Sequence, residues 1–577
     1  MKKLLKFLSP YKKESILGPL FKLLEASFEL FVPLVVAQII DGGIEQGDHS
    51  VIVRSCLILV ALGVIGLICA VTAQYFAAKA AVGFSKHVRH ALFAHIGKLS
   101  YQDLDRMGTS SLITRMTSDV NQVQSGINLT LRLLLRSPFV VIGAAVMAFT
   151  VDTTAALVFA VTIPLLSLAV FGIMFGCIPL YRRVQTRLDA ITQTTRENLS
   201  GVRVLRAFRQ EEHETRTFDE RNEQLTKTQI HVGRISALLN PLSLVMVNIA
   251  IVVLIHVGAL RVDGGDLTQG EVIALYNYMS QILVELIKFA SLVITLTKAI
   301  ACGNRLQAVL ATEPSMQDAD DARIAEPGSA PVVCFDHVTM QYPGAGAPSL
   351  IDVSFKAYPG ETIGIIGGTG SGKTTLVNLI PRFYDVSEGT VSVHGTPVTA
   401  WDTEALRERI GIVPQKAVLF KGSIRDNLRW GKEDATDEQM LRALELAQAK
   451  GILDGKEDGL DSAVEQGGRN FSGGQRQRLT IARALVRAPQ ILILDDSSSA
   501  LDYATDAALR RAIRRLPGDP VVFIVSQRTA SLAHADTIIV LDEGAVAGIG
   551  THETLLRECD TYREIYQSQF KQEEAKA

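Results

Sequence analysis

Gly367-Gly368-Thr369-Gly370-Ser371-Gly372-Lys373-Thr374 is the stretch on which the reading of this chain turns. It has the spacing Gly-x-x-x-x-Gly-Lys-Thr, with an apolar run expected as a strand before it (361–366) and a helix expected after it. That context is what a phosphate-cradling loop requires. Glycines let successive backbone N–H groups turn in around phosphate. Lys373 is placed to neutralise β- and γ-phosphates, and the Thr374 hydroxyl to ligate Mg²⁺. The candidate nucleotide-binding residues here are Gly367, Gly368, Thr369, Gly370, Ser371, Gly372, Lys373, Thr374 and Thr375. Further on, Ile491-Leu492-Ile493-Leu494 leads into Asp495 and Asp496. Asp495, at the end of a buried strand, is suited to hold the metal. Tyr342, before the loop, could stack on a nucleobase.

Working outward, composition divides the chain. It has 577 residues, room for at least two domains. A net charge of −2 gives no overall basic field, so no nucleic-acid partner is expected. Mean hydropathy is +0.22 with 20% charged residues, which suits a chain part membrane and part soluble. The six cysteines have no Cys-x-x-Cys spacing and read as small apolar fillers.

Six apolar stretches before residue 300 are expected to span a bilayer as helices, near 16–40, 56–78, 137–151, 155–178, 238–260 and 272–297. Asp152-Thr153-Thr154 alone separates the third from the fourth. The loop 41–50 carries Asp41, Glu45 and Asp48 and no Lys or Arg, whereas 79–136 and 181–234 are rich in both. The positive-inside bias places these long segments and both termini in the cytoplasm. They are expected to extend the membrane helices and to turn at 100–109 and 206–214, where they would touch the second domain. Met1 to Leu8 reads as an amphipathic helix on the inner membrane surface. Glu25 and Glu29 lie one helical turn apart within the first span, and Glu285 and Lys288 lie in the sixth. Charges at such depth face a water-filled cavity or a partner, so Glu25 and Glu29 are either ion-paired or possible cavity acids for cationic cargo.

Turn formers cluster at 312–331, a domain boundary. The expected division is a transmembrane domain over 1–311, a linker over 312–331 and a nucleotide-binding domain over 332–577. The domain's first strand is expected over 332–341. The fold class is a polytopic helical membrane domain of six spans with long cytoplasmic extensions, fused to an α/β phosphate-loop ATPase domain.

Residues 333–556 resemble the nucleotide-binding domain of ABC transporters at every landmark. Tyr342 resembles the adenine-stacking aromatic and Gln415, in Val-Pro-Gln, the Q-loop. Ser472-Gly473-Gly474-Gln475 is similar to the signature motif and Ser499-Ala500-Leu501-Asp502 to the D-loop. Glu197 to Arg203 is similar to the second intracellular loop of ABC exporters. The order, membrane domain then ATPase, is that of an exporter half-transporter. The resemblance implies a dimer, with ATP held between one subunit's phosphate loop and the other's signature motif. It implies ATP and Mg²⁺ as the cofactors, with Thr374, Gln415 and Asp495 around the metal. It also implies a multi-pass protein of the cell membrane, with lipids around it and amphipathic small molecules as cargo.

Two positions depart from the family pattern. Asp496 stands where the catalytic Glu is expected, and Gln527 where the switch His is expected. Asp is one methylene shorter, and a general base must reach its water. Gln hydrogen-bonds but does not exchange a proton. Binding without efficient hydrolysis follows. The signature motif is intact and would serve a partner's site. The chain therefore resembles the degenerate-site subunit of a bacterial heterodimeric multidrug exporter, an ATP-driven pump working by alternating access. The alternatives are a homodimeric lipid flippase with two equivalent sites and an ATP-gated regulatory ABC protein.

Overall fold

The computed structural model describes residues 2–318, 331–454 and 456–574. Most of the expected linker, 319–330, lies outside the described residues. The chain divides into two compact units. One holds residues 1–98 and 107–313, the other 99–106 and 314–577.

In the first unit, six helices are long and apolar enough to cross a membrane, among the described residues. Helix α1 (Lys12–Gln38) ends in a π-turn over Ile39–Ile44, and α2 (His49–Ile96) is one rod capped by Asp48. The short α3 (Tyr101–Met107), which belongs almost wholly to the second unit, follows. Then come α4 (Thr109–Thr114), α5 (Val120–Leu133) and α6 (Arg136–Val151). The third candidate span runs over Thr109–Val151, so the stretch expected at 137–151 extends back through Arg136 and, across a two-residue break, into α5. A single non-helical residue, Asp152, separates α6 from α7 (Thr153–Ser200). Helix α8 (Val202–Ala207) precedes α9 (Glu211–Ala237), α10 (Leu239–Asp263) and α11 (Gln269–Ala311). The turn expected at 206–214 falls at 208–210. The amphipathic helix expected at the start is present as a 3-10 helix over Lys2–Tyr11. Pro10 supplies no N–H and its ring clashes with the carbonyl one turn back, so an α ladder does not close there.

Small residues let these helices approach. A Cβ on Gly126 of α5 would lie 2.2 Å from the Ala299 Cβ of α11. Between α6 and α7, one Asp152 oxygen caps α7 through Ala155 N–H (2.7 Å), and the other accepts from Arg261 of α10 (2.7 Å). Asp41, at the end of the first helix, accepts from Thr268 Oγ1 and Gly270 N–H at the start of α11, both 2.7 Å.

In the second unit, β1 (Val333–Met340) and β2 (Leu350–Ala357) begin an antiparallel sheet completed by β4 (Glu388–Val393) and β5 (Thr396–Pro397), in the order β2-β1-β4-β5. The core sheet contains β3 (Thr362–Gly367), which precedes α12 (Lys373–Leu379), and β6 (Ile410–Val413), which follows α13 (Thr403–Glu408). Between β6 and the next core strand lie a small two-stranded sheet, β7 (Gly422–Ser423) with β8 (Ala463–Val464), and three helices. These are α14 (Ile424–Arg429), α15 (Asp437–Leu446) and α16 (Gly473–Leu485). Then come β9 (Ile491–Asp495), α17 (Tyr503–Ile513), β10 (Val521–Val525) and α18 (Thr529–Leu532). The chain closes with β11 (Thr537–Asp542), β12 (Ala545–Gly550), α19 (His552–Glu558) and α20 (Asp560–Glu574). The six core strands run β12-β11-β3-β10-β9-β6, parallel except for β12. Strands β9 and β10 are buried along their whole length, as continuous apolar runs with helices on both faces require. Val525 pairs with both Asp495 and Ile365, so β3, β9 and β10 end at one edge of the sheet. That edge is where open α/β sheets carry ligands.

Candidate nucleotide site

The loop between β3 and α12 is shaped by backbone that needs glycine. Gly370 and Gly372 sit at φ 85° and 92°, the left-handed region where a side chain is strained. A Cβ on Gly372 would also meet the Ser349 carbonyl oxygen at 2.4 Å, whereas at Gly368 and Gly370 nothing lies within 4 Å. Protein therefore backs one side of the loop and the other is open. Lys373 folds back over it, donating to the Gly367 carbonyl at 3.0 Å and the Gly368 carbonyl at 2.5 Å. Thr374 Oγ1 donates to both Asp495 oxygens, at 3.1 and 3.0 Å.

These groups line a cavity of about 120 Å³ with Thr369, Gly370, Gln415, Asp496, Val525, Ser526 and Gln527. The two positions that depart from the family pattern thus share one cavity with the phosphate loop. Gln415 Nε2 lies 3.5 Å from Asp496 Oδ2. Asp496 itself adopts φ 46°, a left-handed conformation that aspartate tolerates better than most residues. Ser499, in the following loop, donates its hydroxyl to the Asp496 carbonyl at 2.9 Å. Burial raises Asp495 and Asp496 above the usual carboxylate range, although the Thr374 bond opposes this at Asp495 and the Gln415 bond at Asp496. Burial also lowers Lys373, against the pull of both acids. A compact, oxygen-rich site with one lysine suits a hard dication accompanied by phosphate oxygens. The hydroxyl of Thr374 and the carboxylate of Asp495 fit Mg²⁺ on that ground.

The remaining motifs lie elsewhere in the unit. Tyr342 donates its hydroxyl to Thr375 Oγ1 at 3.1 Å, which leaves it beside the helix that follows the phosphate loop. Ser472 and Gln475 form a reciprocal capping box at the start of α16. Their side chains are engaged, and what the segment offers is backbone N–H groups and an open face at Gly473. None of Ser472, Gly473, Gly474 or Gln475 lines the cavity. A Cβ on Gly474 would lie 3.1 Å from the Ala500 carbonyl oxygen, so the two loops are neighbours. Leu501 is buried, and Asp502 caps α17 through Thr505.

Sequence reasoning missed three contributors. Tyr384 packs edge-on against Tyr342 at 5.0 Å and lies 6.3 Å from Tyr101 of α3. Its hydroxyl donates to Asp105 at 2.8 Å. Asp103 is buried and accepts from Ser315 N–H (2.9 Å) and the Ser100 hydroxyl (2.7 Å). Burial acts to raise it, but these bonds prevail and hold it below the usual carboxylate range. Residues 99–106 thus belong to the second unit, with an aromatic line running from α3 to the phosphate loop. Gln569 of α20 touches the Gln527 segment. No spacing or periodicity marks any of the three, because each has a partner distant in sequence.

In the membrane unit, Glu25 pairs with Lys22 at 2.6 Å, and Arg136 bridges Glu29 at 2.6 Å and Glu285 at 2.5 Å. Lys288 adds a contact to Glu285 at 2.9 Å. Both acids of the first span are therefore ion-paired, and Glu29 keeps 42% of its side chain exposed.

Residues 15–286 match the family described as ABC transporter transmembrane region, and 350–499 match ABC transporter. An uncharacterized ABC transporter ATP-binding protein of Mycobacterium tuberculosis is 40% identical over 97% of this chain and 96% of its own length. The chain belongs to the ABC transporter family. Other relatives of this transporter carry more specific names. A "Probable multidrug resistance ABC transporter ATP-binding/permease protein" of Bacillus subtilis is 33% identical over 84% of this chain and 83% of its own. An "ATP-dependent lipid A-core flippase" of Chromobacterium violaceum is 28% identical over 100% and 98%. The structure of a bacterial Atm1-family ABC exporter with ATP bound superposes with a TM-score of 0.80 at 22% identity, covering 97% of this chain and 98% of that one. The transporter has the exporter fold, a membrane domain of six helices fused to an ATPase domain. The ATPase domain of this family binds ATP with Mg²⁺.

Proposed function

We propose that this transporter exports amphipathic drugs or lipid-like molecules by alternating access, as the subunit carrying the degenerate ATP site of a heterodimer in the cell membrane. Both termini and the long helical extensions lie in the cytoplasm. The observation that carries the reading is the shared cavity, where Asp496 and Gln527 stand beside an intact phosphate loop. Lys373, Thr374 and Asp495 bind the nucleotide's phosphates and metal, and Tyr342 stacks on the base. Mg²⁺, when bound, neutralises charge on the β- and γ-phosphate oxygens. Gln415 orients Asp496, whose short side chain stops short of the attacking water. Gln527 hydrogen-bonds to the γ-phosphate without changing charge. The site therefore holds ATP and turns it over slowly, while Ser472–Gln475 completes the partner's site.

Exposed apolar surface supports dimerisation. In the membrane unit, Val204 and Phe208 are exposed at and just after α8. In the ATPase unit, Phe420 and Trp430 stack at 4.3 Å and are also exposed. Such patches mark sites of association.

The test is Mg-ATPase turnover of the purified chain, alone and with a partner half-transporter. Near-zero turnover alone, with tight ATP binding and strong activity in the pair, is expected. Brisk turnover alone refutes the degenerate site. The second reading, a homodimeric lipid flippase, then takes over. It draws on the relative named as a flippase.

A further inference from the structure

The segment that carries Gln527 is held from two sides. Arg510 of α17 donates to the Ala530 and Ser531 carbonyls at 2.9 and 3.4 Å. On the other side, a single residue of the last helix makes three bonds. Gln569 Nε2 donates to the Gln527 carbonyl at 2.6 Å, and Gln569 Oε1 accepts from Thr529 N–H and Thr529 Oγ1, both at 2.9 Å. The orientation of this amide is fixed by its partners, because a backbone N–H only donates and a carbonyl only accepts. Thr529 is fully buried, whereas the Gln527 side chain is exposed and lines the cavity. The Gln569 clamp thus fixes the backbone on both sides of Arg528 and leaves the Gln527 side chain free to reach.

We propose that Gln569 is a positioning residue that presents Gln527 to the γ-phosphate, so that α20 sets how firmly this site distinguishes ATP from ADP. The proposal rests on the reading of the cavity as an MgATP site. A neutral amide makes a weaker bond to phosphate than a charged imidazole would. A donor already fixed in place loses less conformational entropy on binding.

The test uses the full chain and the variants Q569A, Q569E and Q527A. Glu at 569 keeps an acceptor for Thr529 and loses the donor to Gln527, so it retains the Thr529 bonds of α20 that Ala removes. MgATP and MgADP dissociation constants are measured for each, with amide hydrogen exchange over 526–531 in the nucleotide-free protein. In Q569A and Q569E we expect the ATP-over-ADP preference to fall about tenfold, the weight of one hydrogen bond to a charged group. ADP affinity should hold, and the Gln527–Thr529 amides should exchange faster. A wild-type ratio in both Gln569 variants, with a reduced ratio in Q527A, overturns the clamp and leaves the cavity reading standing. A wild-type ratio in all three overturns both. Equal loss of ATP and ADP affinity would show a merely structural role and also overturn the proposal.

Discussion

Asp496 concentrates the chemistry that distinguishes this chain. A one-methylene shortfall moves the carboxylate by about 1 Å, a displacement that can cost on the order of 100-fold in rate. Asp496→Glu combined with Gln527→His should therefore raise steady-state ATP hydrolysis by about 10- to 100-fold. On the proposed reading, Asp496→Asn should leave the wild-type rate unchanged, and a fall with that variant would show Asp496 already working as a base. Asp495 gives a pH dependence. Its pKa lies above the usual carboxylate range because burial disfavours the charge. Raised acids bind protons sooner as pH falls, so metal coordination weakens at a higher pH than an ordinary aspartate would allow. Titration of MgATP affinity should show an acid limb beginning above the ordinary aspartate value of about 3.9. Asp495→Asn should flatten that limb and weaken Mg²⁺ dependence at neutral pH. At this scale the sequence was highly legible. The phosphate loop and Asp495 meet at one sheet edge, as the strand–loop–helix pattern predicts, and Gln415 and Gln527, which only the resemblance singled out, line the same cavity. Gln569 and Tyr384 were not legible, because a hydrogen bond to a distant carbonyl leaves no pattern along the chain.

Elements repeat the lesson in a different form. Strands expected at 332–341 and 361–366 appear as Val333–Met340 and Thr362–Gly367, since buried apolar runs bounded by turn formers admit little else. The helix expected at the start of the chain is present over Lys2–Tyr11, and amphipathic patterning alone does not specify its 3-10 winding. Helix α3 lies in the segment expected to turn and to touch the ATPase domain, and it packs within that unit through Tyr101, Asp103 and Asp105. Tyr384→Phe keeps the ring contacts and removes the bond to Asp105. It should leave ATP affinity within about twofold while reducing transport-coupled ATPase stimulation, read by cargo titration in vesicles. Asp103→Ala leaves the Ser315 N–H without its acceptor and should destabilise the ATPase unit by about 1–3 kcal/mol. Because Asp103 is held below the ordinary carboxylate range, its stabilisation is present above the unfolded pKa and is lost as pH falls through the folded one. The mutant should therefore show a smaller loss of melting temperature on acidification than the wild type.

Across the whole molecule, the division into a membrane half and an ATPase half followed from hydropathy and one boundary of turn formers. Cargo did not follow, because an apolar cavity is specified by surfaces rather than motifs. The ion pairs among Glu29, Arg136 and Glu285 join three helices far apart in sequence, and no periodicity announces them. Trp430→Ala, on the exposed aromatic pair, should weaken association between half-transporters about tenfold or more without changing ATP affinity. Analytical ultracentrifugation at graded protein concentration would read this.

On the proposed orientation, the outer rim carries two ties, one more buried than the other. The one at Asp152 is a carboxylate 8% exposed, shared between a helix end and an arginine. The one at Asp41 is a more open contact with a hydroxyl and a backbone N–H. A sheet of paper torn along a perforation parts where the fibres are fewest. By the same reasoning the outer face should part first between α1 and α11, while α6, α7 and α10 travel as one block. Weakening that perforation with Asp41→Ala should tilt the resting balance toward open outer ends, visible as longer distances between spin labels placed at positions 45 and 266.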